Sequence, residues 1–171
     1  MKKIITLFAF VSFLAISGCS TSDDFEEDKD TIPYAFEIEN KNFGFNNTDG
    51  YNLSYFFEDW IGEDLYDDET VLIYRLEDVL DSGAPVWQLI PRTLYTNQGE
   101  LDYDYNFSPI GFKIFAGGNY DLSLTPQYLN NQTFRVVIMP SYLAASMDTS
   151  NYTEVMNTLK ISETNVKKVK L

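Results

Sequence analysis

Leu101-Asp102-Tyr103-Asp104-Tyr105-Asn106-Phe107 is the stretch that decides the fold class. Apolar or aromatic side chains take every second position, and Asp102, Asp104 and Asn106 take the others. Successive side chains of an extended chain point to opposite faces, so a period of two predicts a half-buried strand. Leu101, Tyr103, Tyr105 and Phe107 are expected inward. On either side, Asn97-Gln98-Gly99 and Gly117-Gly118-Asn119 supply the residues that tight hairpins need at positive φ.

Working outward, the same reading predicts strands over Tyr34 to Glu39, Tyr51 to Phe57, Val71 to Leu76, Gly111 to Ala116 and Phe134 to Met139. Val86 to Leu94 reads as a further strand with a break near Pro91. Val71-Leu72-Ile73-Tyr74 and Val136-Val137-Ile138-Met139 are apolar on both faces, as expected of central strands covered on both sides. Near the end, Tyr152, Val155, Met156 and Leu159 recur at helical spacing, which predicts one short amphipathic helix over Asn151 to Leu159, capped by Ser150 or Asn151. Asn165 to Leu171 reads as a last strand with its lysines outward. The expected fold is all-β or mainly β: an antiparallel β-sandwich of about seven to eight strands with one short C-terminal helix.

The first residues read differently. Met1-Lys2-Lys3 is followed by an apolar run from Ile4 to Ile16, then Ser17-Gly18-Cys19. Two lysines, a short apolar core and small residues make a secretion signal, and the run is too short for the roughly 20 apolar residues of a membrane span. Leu14-Ala15-Ile16-Ser17-Gly18-Cys19 resembles the lipobox of bacterial lipoproteins. That resemblance implies cleavage before Cys19, the only cysteine, and attachment of lipid to it. Ser20 to Asp30 is acidic with a single aromatic, so residues 19–31 are expected to be a disordered tether, leaving 32–171 as one β-sandwich domain. The acidic run also resembles a surface-export signal of Bacteroidota lipoproteins, a solvated linker being the equal alternative. Ser20 after the cysteine suits outer-membrane sorting. Asp30-Thr31-Ile32 matches that phylum's O-glycosylation motif, with Thr31 as acceptor.

The segments Val71 to Glu77, Val86 to Pro91, Gly99 to Tyr105 and Phe134 to Pro140 carry a wider resemblance. From roughly Tyr51 to Leu171 the chain resembles small lipoproteins of Bacteroidota, chiefly flavobacteria, some with a collagen-like Gly-X-Y stretch behind the anchor. Here an acidic linker stands in that place, so neither a triple helix nor a trimer carries over. The resemblance implies an origin and an outer-membrane address; no catalytic residue transfers with it.

Composition narrows the chemistry. The full chain of 171 residues carries 12 basic and 26 acidic side chains, and loss of Lys2 and Lys3 with the signal leaves −16. Such a field repels phosphate backbones, so nucleic acid is a poor partner. There is no histidine, and an acylated Cys19 leaves no free thiol. Ser-His-Asp and Cys-His catalysis and histidine zinc sites are thereby excluded.

What remains is carboxylate chemistry. Glu58, Asp59, Glu63, Asp64, Asp67, Asp68 and Glu69 fall in one acidic loop and are oxygen donors of the kind calcium takes, with Asp64, Asp67, Asp68 and Glu69 as the candidate ligands. The alternative is a solvated loop on an acidic protein. Asp102, Asp104 and Asn106 do not continue as a calcium-binding loop, which needs Gly and Glu where Phe107 and Lys113 stand. Trp60 and Tyr66 among the acids would also suit a loop that touches sugars or proteins, whereas Trp87 reads as a core anchor. The expected function is a membrane-anchored envelope module with a structural or binding role. The alternatives are a glycan hydrolase using paired carboxylates and a calcium-stabilised adhesion module.

Overall fold

The computed structural model describes residues 33–169. Cys19, the lipobox residues Leu14, Ala15, Ile16, Ser17 and Gly18, the tether and Thr31 all lie outside the described residues.

Ten strands form two five-stranded sheets that face each other. Sheet A contains β1 (Tyr34–Lys41), β4 (Glu69–Val79), β5 (Pro85–Ile90), β9 (Gln132–Pro140) and β10 (Lys167–Val169), in the order β10-β1-β9-β4-β5. Sheet B contains β2 (Gly44–Asn46), β3 (Gly50–Phe56), β6 (Arg92–Thr96), β7 (Gly99–Ser108) and β8 (Gly111–Gly118), in the order β2-β3-β8-β7-β6. Pairing is antiparallel except between β1 and β10, which run parallel. Among the described residues there are also three short α-helices: α1 (Glu58–Ile61), α2 (Ser141–Ala144) and α3 (Tyr152–Thr158).

Alternation places the core. Phe36 and Ile38 of β1, Ile73 of β4, and Phe134, Val136 and Ile138 of β9 turn toward sheet B, where Leu101 and Tyr103 of β7 and Ile114 of β8 meet them. The opposite parity of sheet A buries Leu72, Tyr74, Val137 and Met139 against Val155 and Met156 of α3 and the following Leu159. This second layer is why the central strands are apolar on both faces, each fully buried aliphatic side chain stabilising the fold by about 1.5–3 kcal/mol. Sheet B has no such cover: Asp102, Asp104 and Asn106 are exposed, as the alternation of β7 requires.

The differences from the sequence-based expectation have physical causes. Val86 to Leu94 is not one strand but two, β5 and β6, with the cis peptide Ile90–Pro91 at the point where the chain leaves sheet A for sheet B. β2 is three exposed residues, too short for any alternation to be read. The strand count is therefore ten rather than seven or eight. There are three small helices rather than one, since α1 and α2 have four residues each and show no period.

Gly117-Gly118-Asn119 forms no hairpin: both glycines lack positive φ and lie at the end of β8. Gly118 serves another purpose, because a Cβ there would sit 2.5 Å from the Glu100 carbonyl oxygen. Phe107 keeps the inner parity, opposite buried Phe112, but is 42% exposed because β6 flanks β7 only as far as Tyr103. The last strand starts at Lys167 rather than Asn165 and is described as far as Val169; Lys170 and Leu171 lie outside the described residues. The expected C-terminal helix is α3, its N-terminus capped by the Asn151 side chain accepting from the Glu154 N–H at 3.2 Å.

Candidate binding cleft

Both central strands of sheet A carry one arginine within an apolar run, Arg75 in β4 and Arg135 in β9, and both are buried, at 7% and 1% exposure. They point to opposite faces. Arg135 shares the outer parity of Val137 and Met139, whereas Arg75 shares the inner parity of Val71 and Ile73.

Arg135 has its charge paired twice, with Glu37 and Glu163. Its two terminal nitrogens grip Glu163 at 2.7 and 2.8 Å, a bidentate pairing, and also donate to Glu37 and to the Tyr152 hydroxyl. The guanidinium carbon lies 4.4 Å from the Trp87 ring centre and 5.4 Å from that of Tyr152, so the cation lies against both rings, whose centres are 5.9 Å apart. Lys168 closes the cluster, 3.3 Å from Glu37 and 3.5 Å from Glu39, and Glu37 holds its ammonium pKa above the ordinary lysine value. Every charge has its opposite beside it. The cluster fixes α3 and β10 to the sheet, with Arg135 Nε and Trp87 Nε1 buried in it without a hydrogen-bond partner. Trp87 thus packs as expected, on the outer face of sheet A, with its partner a guanidinium.

Arg75 is different. Among the described residues no carboxylate lies within 4.0 Å of it. Its Nε donates to Gln132 Oε1 at 2.8 Å, its guanidinium lies 4.8 Å from the Tyr103 ring centre, and its charge and side-chain hydrogen bonding pull the Tyr103 pKa down against burial. Gln132, itself 5% exposed, is the keystone: its Nε2 donates to the carbonyls of Gln127 at 2.9 Å and Asn130 at 2.8 Å. One amide therefore ties the 126–131 loop to the arginine. The Tyr103 hydroxyl donates to the Tyr128 carbonyl at 2.6 Å, and burial pushes its pKa up to about 12. Asn131, at φ +55°, turns the loop back into β9, a conformation asparagine tolerates better than most residues.

The result is an open cavity of about 530 Å³ between this loop and β4, walled by Arg75, Gln127, Asn130, Asn131, Gln132 and Thr133. It is a volume suited to a small ligand. The sequence pattern hid Arg75, because a lone cation inside Val71 to Leu76 reads as noise in an apolar strand. The available signal was that cation itself, at a position whose parity is inward.

The acidic loop between α1 and β4 does other work. Asp64, Asp67, Asp68 and Glu69 do not converge, and among the described residues no group of three or more carboxylates is placed to hold a metal ion. Glu69 accepts from the Tyr66 N–H at 2.9 Å, and the Asp68 carbonyl accepts from the Ser141 N–H at 2.7 Å. Desolvation and the nearby Asp68 and Glu63 charges raise the Glu69 pKa, against the pull of the Tyr66 hydrogen bond. It is the one carboxyl so raised among the described residues.

That loop packs at the end of the sandwich where the chain enters. The Ile110 carbonyl in the β7–β8 turn accepts from the Phe57 N–H at 3.1 Å, and the Pro109 carbonyl from Leu65 at 2.8 Å. Trp60, buried, stacks on Phe36 at 4.9 Å, and Lys167 caps its carbonyl at 2.9 Å. Pro33 and Tyr34 share a groove with Trp60 and Ile61. Next to them Phe56, Phe107 and Ile110 form an apolar rim, exposed by 61%, 42% and 54%. The Arg75 cleft lies at the other end of sheet A, where Lys41 pairs with Gln132, whereas Tyr34 pairs with Ile138 at the entry end.

No protein-family model, no curated protein and no solved structure matches this chain.

Proposed function

We propose that this protein is a lipid-anchored lipoprotein of the bacterial outer membrane whose β-sandwich is a non-catalytic binding module. The lipobox-like Leu14 to Cys19 behind a signal-like run supports the anchor. The observation that carries the reading is the position of the apolar rim at the entry end. Pro33 is the fourteenth residue after Cys19, which at about 3.3 Å per residue allows a reach of at most roughly 45 Å. Phe56, Phe107 and Ile110 then face the bilayer to which Cys19 is fixed, and the Arg75 cleft faces away from it.

The acids of the α1–β4 loop keep this contact shallow and favour zwitterionic over anionic lipid. Burial of the rim adds to the acyl chains, each methylene of which contributes about 0.8 kcal/mol.

Fractionation of cells expressing wild type and Cys19→Ala tests the anchor. Wild type is expected in the membrane with an acylated Cys19 by mass spectrometry, and the variant in the soluble fraction; a membrane-bound variant would refute it. Once Cys19 is acylated, Ile110→Cys introduces the one reactive thiol. A polarity-sensitive dye there is expected to blue-shift in zwitterionic vesicles and to be quenched by lipid-borne quenchers. The same dye at Tyr95→Cys, at the far hairpin, is expected to be unaffected. Equal quenching at both positions, or none at Ile110→Cys on an anchored protein, removes the membrane-facing end. External protease on intact cells then separates surface from periplasmic exposure.

A further inference from the structure

We infer that the Arg75 cleft is a binding site for a small ligand bearing a single carboxylate on a hydroxyl-rich frame, chemically an acidic monosaccharide. The inference rests on the binding half of the proposed function and is independent of the anchor. A guanidinium is a planar fork of donors matched to a carboxylate, and this protein supplies 26 acidic side chains from which to pair it. Arg135 takes two of them. Arg75, equally enclosed by strands, takes none, and the acceptor of its Nε, Gln132, is neutral.

That arrangement is held from behind. Gln132 is locked by two backbone carbonyls and the Tyr103 ring lies along the guanidinium, so Nε is consumed on the protein side. The terminal nitrogens are then the part of the fork left for an anion in the cavity. The rest of the wall is chosen for hydroxyls: the amides of Gln127, Asn130 and Asn131 and the hydroxyl of Thr133 offer both donors and acceptors. Aliphatic lining is confined to Leu76 and Pro126.

Charge sets the valence of the ligand. A formal −14 on the whole chain repels a polyanion, so a repeating acidic polymer or a phosphate chain is disfavoured, while one carboxylate meeting one buried cation is not. Glu77 at the mouth adds to that selection.

The test is calorimetric titration of the full chain in detergent with sodium D-glucuronate, D-glucose and sodium acetate. Saturable binding of glucuronate is expected, with glucose undetectable and acetate at least ten-fold weaker than glucuronate. Arg75→Lys, which keeps the charge but loses the fork, is expected to weaken glucuronate at least ten-fold. Asn130→Ala, on the exposed loop, is expected to weaken it several-fold with acetate unchanged. Circular dichroism reports the fold of each variant; should Arg75→Lys unfold, Asn130→Ala alone decides. No saturable binding up to about 20 mM glucuronate, well into the range where even a millimolar site registers, would overturn the inference. So would glucose binding as tightly as glucuronate, acetate matching glucuronate, or an unchanged affinity in a folded Arg75→Lys or in Asn130→Ala.

Discussion

Replacing Arg135 by methionine removes the centre of the charge cluster while keeping an unbranched apolar stem. Glu37, with a side chain 4% exposed, is then left as a buried carboxylate. Breaking a buried pair from one side costs about 3–5 kcal/mol, because the stranded charge has lost its water as well as its partner. Here the cost belongs at the lower end, about 3 kcal/mol, since Lys168 Nζ still sits 3.3 Å from the other Glu37 oxygen and is itself 56% exposed. For a domain of this size that corresponds to a Tm lower by roughly 10 °C.

Glu163, 57% exposed, belongs to the same cluster, yet Glu163→Gln is expected to cost less than about 1 kcal/mol because water replaces what is lost. Combining Arg135→Met with Glu37→Leu removes both buried charges together, and most of the 3 kcal/mol is expected to return. Urea unfolding followed by tryptophan fluorescence measures all four proteins, Trp87 reporting from beside Arg135. Equal losses for Arg135→Met and Glu163→Gln, or a double variant no better than Arg135→Met, would refute the reasoning that burial of Glu37 sets the magnitude.

Three further outcomes are expected. Gly111→Ala places a Cβ 2.3 Å from the Tyr55 carbonyl oxygen, a clash with backbone, so calorimetric melting is expected to show a loss of at least about 2 kcal/mol. Asn151→Ala removes the α3 cap and is expected to cost about 1 kcal/mol by the same measurement, with Asn151→Asp restoring it. Burial pushes the Tyr55 and Tyr103 pKa values up to about 12 from 10.0, so the folded state holds protons that the unfolded chain gives up. Their contribution is therefore complete below pH 10 and lost as pH rises toward 12; tyrosinate absorbance is expected to rise in two stages, and a single stage at 10 in a protein still folded would count against it.

The fold was readable where burial imposes a period. β7 alternates because one face meets the core and the other water, and Val71 to Tyr74 of β4 and Val136 to Met139 of β9 are apolar on both faces because α3 covers the face that the sandwich leaves open. Pattern carried no information about β2, with three exposed residues, or about α1 and α2, each a single turn. Pro91 marked a break but could not say that the chain changes sheets there.

The cleft was less legible still. Binding chemistry is set by the partner a residue lacks, and Arg75 and Arg135 look alike in sequence, each a cation inside an apolar run. Only the register that puts Glu37 beside Arg135 and Gln132 beside Arg75 separates them. The acidic loop misled in the opposite sense, since its seven carboxylates are many in sequence and divergent in space.

The strands at the sheet margins bear on how copies of this chain would meet on the membrane to which the proposed anchor would hold them. Chains confined to a surface meet at high effective concentration, and an open strand edge is a template for pairing with its neighbour. Here β2 is three residues long, β10 presents Lys167 and Lys168, β5 begins at a proline, and β6 carries exposed Arg92 and Tyr95. None offers a long, flat, apolar edge. With a formal −14 on every chain as well, these sheet margins are built against edge-to-edge pairing between copies.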